Sequence, residues 1–324
     1  MKTKRSKPIR QFNRALWSTA LILALLVPAA RAADAAATAV ETHKTAPVAG
    51  PDALKLKGGL PEVLPIPGDP RPYADSVYAM QIDRALAYLV FKDRGPNRYF
   101  RMILLDYLQR RFQLHERYSL HATTAPHLNG GQTEDLANFK RLTDPQFVVD
   151  ASVIEGAESM ERLVLRALYC DAYPLEPAFL DEIITEVNNG VPVFLPSLAM
   201  AYLWMRDNGC LVSEPKFFLL RDSLAVKFRN NLQQDGVSAF LGPQSFAMLF
   251  ALDHPEMVEE LWLVKFAEAQ NEDGGWPGRL ISGQKGMSEG LATVHVLWAL
   301  LEHALPNSPR TPMLPPKAPA AVTE

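Results

Sequence analysis

The chain has 324 residues, is 48% hydrophobic and 21% charged, and carries a net charge of −3, enough apolar content for a substantial core. Residues 1–32 hold seven Lys or Arg and no Asp or Glu, so without them the charge falls to −10. A chain that acidic is a poor nucleic-acid binder, because such affinity comes from neutralising phosphates, and it is repelled by anionic glycans unless basic residues gather in one cleft.

Residues 1–32 read as a bacterial secretory signal: a basic start (Lys2, Lys4, Arg5, Lys7, Arg10, Arg14), an apolar stretch from Ala15 to Val27, and Ala30-Arg31-Ala32 as a cleavage site. This predicts a periplasmic or secreted protein, with an uncleaved anchor as the alternative, and no integral membrane domain after cleavage. Residues 33–72 form an Ala/Pro-rich linker, with six prolines between 51 and 72. A helical domain follows over 73–305, and residues 306–324 make a Pro-rich tail expected to be disordered.

Within the domain, apolar residues three and four apart predict helices over Tyr73–Lys92, Tyr99–Tyr118, Glu158–Cys170, Glu176–Asn188 and Ser197–Asp207. The same period marks Glu214–Gln234, Pro243–Asp253, Pro255–Gln270 and Gly290–Leu305. Each is bounded by Gly, Pro, Asn or Asp, and strand alternation is nearly absent. The fold class is all-α. Between the second and third helices lies a polar excursion, His121 to Asp135, whose His and carboxylate spacing matches no tight metal-ligand pattern, so it reads as a loop. Cys170 and Cys210 either form one disulfide closing a loop of about 40 residues or stay as two buried thiols. Neither lies in a CxxC pair, which argues against a redox motif or zinc knuckle, and no metal or cofactor is named by the sequence.

Ser197-Leu198-Ala199-Met200, Ser245-Phe246-Ala247-Met248 and Thr293-Val294-His295-Val296 recur 48 residues apart, twice in succession. Val226-Lys227-Phe228 through Asp235-Gly236 likewise matches Val264-Lys265-Phe266 through Asp273-Gly274. Such spacings suit stacked helix–turn–helix units. The last unit resembles the QW signature of the squalene–hopene cyclase superfamily: Phe266 stands four before Gln270, followed by Gly274 and Trp276, then Thr293, Leu297, Ala299 and Leu300. The resemblance implies an α/α toroid, the ring of helical hairpins also used by protein prenyltransferase β-subunits and several polysaccharide lyases. Residues 73–305 have room for about five hairpins, an incomplete or compact ring. In that family the motif is a clasp: the Gln amide satisfies backbone groups at a helix end and the indole packs over it. The acidic cluster of the cyclases and the zinc ligands of the prenyltransferases are missing here. The run Gly274-Gly275-Trp276-Pro277 also looks like a short motif of some toroidal pectate lyases.

His295 is the main candidate for chemistry, because Ala199 and Ala247 hold its place in the other repeats. Facing a central funnel, it would serve as general acid or base; otherwise it is a core His bonded to a carbonyl or hydroxyl. In a lyase, Arg279 would neutralise a uronate carboxylate, with Glu289 and Lys285 beside it; otherwise these are solvated charges. Asp273 is a candidate for a sugar hydroxyl or a cation, or a turn residue before Gly-Gly. Trp276, Tyr202 and Trp298, with Tyr169, Tyr173 and Trp204, either stack on sugars or fill the core. Three functions remain open: an exported toroid binding or cleaving a polysaccharide, a non-catalytic module contacting an envelope protein, and a cyclase-like protein holding an apolar lipid. The first requires His295, Arg279 and a carboxylate in one cleft; the second, a funnel plugged by aliphatic side chains and a large apolar outer patch; the last, a deep, aromatic-walled cavity without convergent charges.

Overall fold

The computed structural model describes residues 71–93, 98–114, 134–210, 213–237, 239–278 and 286–315. These are almost wholly helical, and the only strands among them are two-residue β1 (Trp276–Pro277) and β2 (Ser288–Glu289), paired antiparallel. The leader at 1–32, most of the linker, and Arg279 and Lys285 lie outside the described residues.

Helix α1 (Ala79–Ala87) ends in a π-turn over Tyr88–Lys92, and α2 spans Arg98–Phe112. Residues 121–133 of the polar excursion lie outside the described residues, and a 3-10 segment, Glu134–Leu142, stands at its end. Short α3 (Ala151–Glu155) starts from Asp150, whose carboxylate accepts the Ser152 N–H. Then come α4 (Ser159–Leu168), α5 (Pro177–Asn189), α6 (Leu195–Asp207), α7 (Glu214–Gln234) and α8 (Gly242–Ala251). Finally α9 (Glu260–Glu268) and α10 (Gly290–Ala304) complete the domain. Proline stands in the first turn of α5, α6, α7 and α8, where its missing N–H costs nothing and its fixed φ suits the helix.

The helices form two rows. In the inner row, equivalent ends meet, so neighbours run parallel. Asn208 at the end of α6 donates to Leu168 O at the end of α4. Arg206 donates to Ala251 O at the end of α8. Arg111 at the end of α2 pairs with Glu302 near the end of α10. Helix α8 packs against α10 to continue the row. Helices α6, α8 and α10 are apolar around nearly their whole circumference and almost fully buried, as two-sided packing requires.

Outer helices return antiparallel. Phe217 near the start of α7 stacks on Tyr202 in the second half of α6 at 4.4 Å. Phe266 near the end of α9 stacks on Phe246 near the start of α8 at 4.6 Å. In the α4–α5 hairpin, the Arg166 guanidinium lies over the Phe179 ring. Among the outer helices, Lys216 and Lys227 of α7 reach Asp181 and Asn188 O of α5, so these two also run parallel. Cys170 and Cys210, just past the ends of α4 and α6, are joined by a disulfide with Cα atoms 6.1 Å apart.

The described part of the Pro-rich end, residues 306–315, departs from expectation, and residues 316–324 lie outside the described residues. Instead of disorder, residues 306–315 lie across the C-terminal ends of the inner helices, with Met313 and Leu314 buried. Low apolar content suggests disorder, yet Arg110 and Arg111 bind the strap by its main chain, which needs no apolar side chains.

Candidate functional site

The segment between α9 and α10 is built to close the last hairpin. Gln270 Nε2 donates to Gly274 O and to Gln81 O, each at 2.9 Å, tying α9 to α1. The Trp276 indole N–H donates to Phe266 O at 2.6 Å, and its backbone N–H reaches Thr293 Oγ1 at 2.9 Å. Gly274 has φ +93°, and a Cβ there would lie 2.2 Å from Arg84 O, so the turn admits only glycine. Trp276 is therefore sealed inside the protein, not presented to a ligand. Asp273 serves the same turn: its Oδ1 accepts from Gly275 N and Ser288 Oγ.

Glu289 is the N-cap of α10, its two carboxylate oxygens accepting from Leu291 N at 3.0 Å and Ala292 N at 2.6 Å. Burial raises its pKa, opposed by those two N–H groups. Beneath it lies a buried ion pair, Arg101 with Asp93 at 2.6 Å, both only 1% exposed, against which Gly290 packs so closely that no side chain fits. Sequence reading missed this pair, since nothing in the local pattern links residues 93 and 101 to the turn before α10.

The remaining candidates separate. Tyr202 and Trp298 are core residues: Tyr202 stacks on Phe217, and the Trp298 N–H donates to Glu302 Oε1 at 3.1 Å while its ring meets the edge of Tyr107. Tyr169 and Tyr173 donate to main-chain carbonyls of Asn138 and Val149. The expected trio of His295, Glu289 and Arg279 is not assembled among the described residues: Glu289 is committed to its cap, and Arg279 lies outside them.

His295 does face a cavity. It is 6% exposed, and its Nδ1 lies 2.7 Å from Leu291 O, which fixes Nδ1 as the protonated nitrogen and leaves Nε2 as an acceptor. Burial lowers its pKa from 6.5 to about 4, against the small raising effect of that carbonyl, so the imidazole is neutral at ordinary pH.

The cavity, about 50 Å³, is lined by residues of α2, α4, α6, α8, α10 and the strap. Phe100, Ile103 and Leu104 of α2, Leu142, and Val164 of α4 line it. Pro196 and Met200 of α6, Met248 of α8, Leu291 of α10 and Met313 of the strap line it too. Three polar side chains interrupt this surface: His295, Ser197 and Trp204. Ser197 Oγ and Trp204 Nε1 are buried without a hydrogen-bond partner. No lining residue is charged at neutral pH. Ser197, Met200 and Trp204 share one face of α6, at i, i+3 and i+7, a spacing that marked a core stripe but not a site. Among the described residues no cluster of His, Cys, Asp or Glu suits a metal ion, and no helix is long and apolar enough to cross a membrane.

The chain matches no protein-family model, no curated protein and no solved structure.

Proposed function

We propose that the parallel inner row curls into an α/α toroid, exported from the cell, whose enclosed centre binds a small apolar molecule with one neutral hydrogen-bonding head. The observation that carries this reading is the cavity wall: apolar side chains from α2, α4, α6, α8 and α10, with Ser197 and Trp204 among the lining residues and their Oγ and Nε1 atoms buried and left unpaired by folding. A buried polar atom without a partner costs about 1–3 kcal/mol, a penalty that a ligand removes by pairing with it. Neutral His295 adds an acceptor, Trp204 a donor, and Ser197 either, a set that suits an alcohol or carbonyl head. A charged head is disfavoured, because no cation or anion lines the cavity to offset its desolvation. The disulfide supports export to an oxidising compartment.

A polysaccharide needs an open groove, and hydrolysis or elimination needs an acid–base pair that the described residues do not assemble. His295 is oriented by a carbonyl rather than a carboxylate, and Ser197 is not hydrogen-bonded to it, so the pair lacks the geometry of an activated nucleophile. Binding is the better reading. The cavity is small beside the engineered void of about 150 Å³ that admits benzene. Entry of a ligand therefore moves wall side chains, and the unbranched Met200, Met248 and Met313 are the ones that move most cheaply.

Calorimetric titration of the mature protein with 1-octanol and with octanoate tests this. The alcohol is expected to bind at least about tenfold more tightly than the carboxylate. Val164→Phe, which fills the cavity, is expected to abolish the heat. Absence of heat from the alcohol, together with new double-bond absorbance when uronate polymers are added, would return the reading to a lyase.

A further inference from the structure

We infer that residues 306–315 are a tethered stopper in the C-terminal end of the central cavity, and that the molecule displacing it is an unbranched aliphatic chain. This rests on the apolar-ligand reading and specifies where the ligand enters and what shape it has. Met313 is only 4% exposed and shares the cavity wall with Trp204 and Met200, although it belongs to a segment with no regular secondary structure. Its side chain is inserted from outside the helical framework, as a ligand would be. Methionine is unbranched with three rotatable bonds, so the seat it fills suits a linear alkyl chain of similar calibre.

The strap is held by few points. Arg110 donates to Pro312 O at 2.9 Å and Met313 O at 2.8 Å, and Arg111 to Pro309 O at 3.0 Å. The Met313 N–H donates to Asp207 Oδ2 at 2.6 Å, and Arg310 pairs with Asp253. The prolines at 306, 309, 312 and 315 recur every three residues, the turn of a polyproline helix, and residues in that spacing present successive carbonyls to one side. Proline has no N–H to bond elsewhere, so such a segment gains its hold through carbonyl acceptors, which is what the two arginines engage. Surface hollows of about 400 Å³ beside Pro306–Pro309 and about 260 Å³ beside Pro312–Pro315 flank the strap. A segment without regular secondary structure, held by these polar contacts and the buried Met313 and Leu314, detaches without unfolding the helices beneath it.

The test uses the full chain carrying Ser197→Cys, which places a thiol in the cavity, and follows its labelling by N-ethylmaleimide with and without Arg110→Ala. Arg110 lies outside the cavity wall, and its loss removes two charge-assisted hydrogen bonds to the strap, so labelling should accelerate about tenfold or more. Arg310→Ala should accelerate it less, since its ion pair is half exposed. An unchanged rate in both variants overturns the stopper whatever the ligand is. As a second measurement, in case the cysteine variant folds poorly, hydrogen exchange at the Met313 amide of the unmodified chain should speed up with 1-octanol and not with a branched alcohol of equal carbon number. Octanol binding that leaves this amide protected overturns the stopper and spares the cavity reading. Faster labelling in Arg110→Ala without octanol binding supports the stopper and removes the alcohol as ligand.

Discussion

Substituting His295 by Phe should flatten the acid limb of the stability curve. In the folded chain burial holds the imidazole pKa at about 4, against 6.5 when unfolded. Between these values the unfolded chain binds a proton that the folded chain refuses. Stability contributed by neutral His295 is therefore fully present above pH 6.5 and is lost as pH falls towards 4, below which the loss levels off. Integrating the two titrations from pH 7 to pH 4 gives roughly 3 kcal/mol for this one group.

The cause is local and testable, because no charged side chain lines the cavity to shift the imidazole instead. Urea unfolding at a series of pH values, wild type against His295→Phe, isolates the contribution. Carboxylates titrate in both proteins, including Glu289 and Glu161, whose pKa values burial raises. They cancel in the difference. The variant is expected to be less pH-sensitive by roughly 3 kcal/mol over that interval. Parallel curves would refute the neutral, desolvated imidazole, and with it the acceptor assigned to the cavity.

Replacing both Cys170 and Cys210 by Ala opens a loop of 40 residues and should cost about 4 kcal/mol by chain entropy, read as a lower melting temperature. The fold should survive, since Arg141 still joins Asp171 to Asn208 at the same helix ends. Arg101→Met strands the Asp93 carboxylate in the core and should cost about 3–5 kcal/mol in urea unfolding, whereas an exposed pair such as Lys216–Asp181 should cost under about 1 kcal/mol. Gly274→Ala meets Arg84 O as well as an unfavourable φ, and should destabilise by more than about 2 kcal/mol. Gly209→Ala, with φ +69° but open space around it, should cost only about 1 kcal/mol; equal losses would show that the collision at Gly274 is relieved by movement.

The helices were legible because their apolar residues repeat every three or four positions, and the hairpin closure because Gln270, Gly274 and Trp276 form a turn that local chemistry dictates. Glu289 was assigned to chemistry although its place immediately before an apolar helix already marks a cap. The cavity was not legible. Ser197 and Trp204 are set apart by lacking a partner while lining a cavity, a property of the whole packing and not of any local pattern. His295 stood out by replacing alanine, but its environment, which decides between catalyst and neutral acceptor, comes from α2, α4, α6 and the strap together. The strap itself was hidden because composition counts apolar residues, while two arginines on α2 do the holding.

One repeat position explains where the polar groups of the cavity come from. Ser197, Ser245 and Thr293 each lie in the first turn of an inner helix, 48 residues apart. In the last unit the hydroxyl is consumed by closure: Thr293 Oγ1 accepts the Trp276 N–H and donates to Glu289 O. In the earlier units no backbone N–H takes that place, and the hydroxyls of Ser197 and Ser245 are left buried and unpaired. Only Ser197 reaches the cavity. Two positions further on, alanine at 199 and 247 lets inner helices approach closely, and at 295 an imidazole takes that place. A repeat that kept the clasp in every unit would satisfy its own hydroxyls and leave a dry, inert centre. Here the clasp is kept once, and Ser197, which lines the cavity, keeps a buried hydroxyl that folding does not use, the group the proposed ligand would pair with.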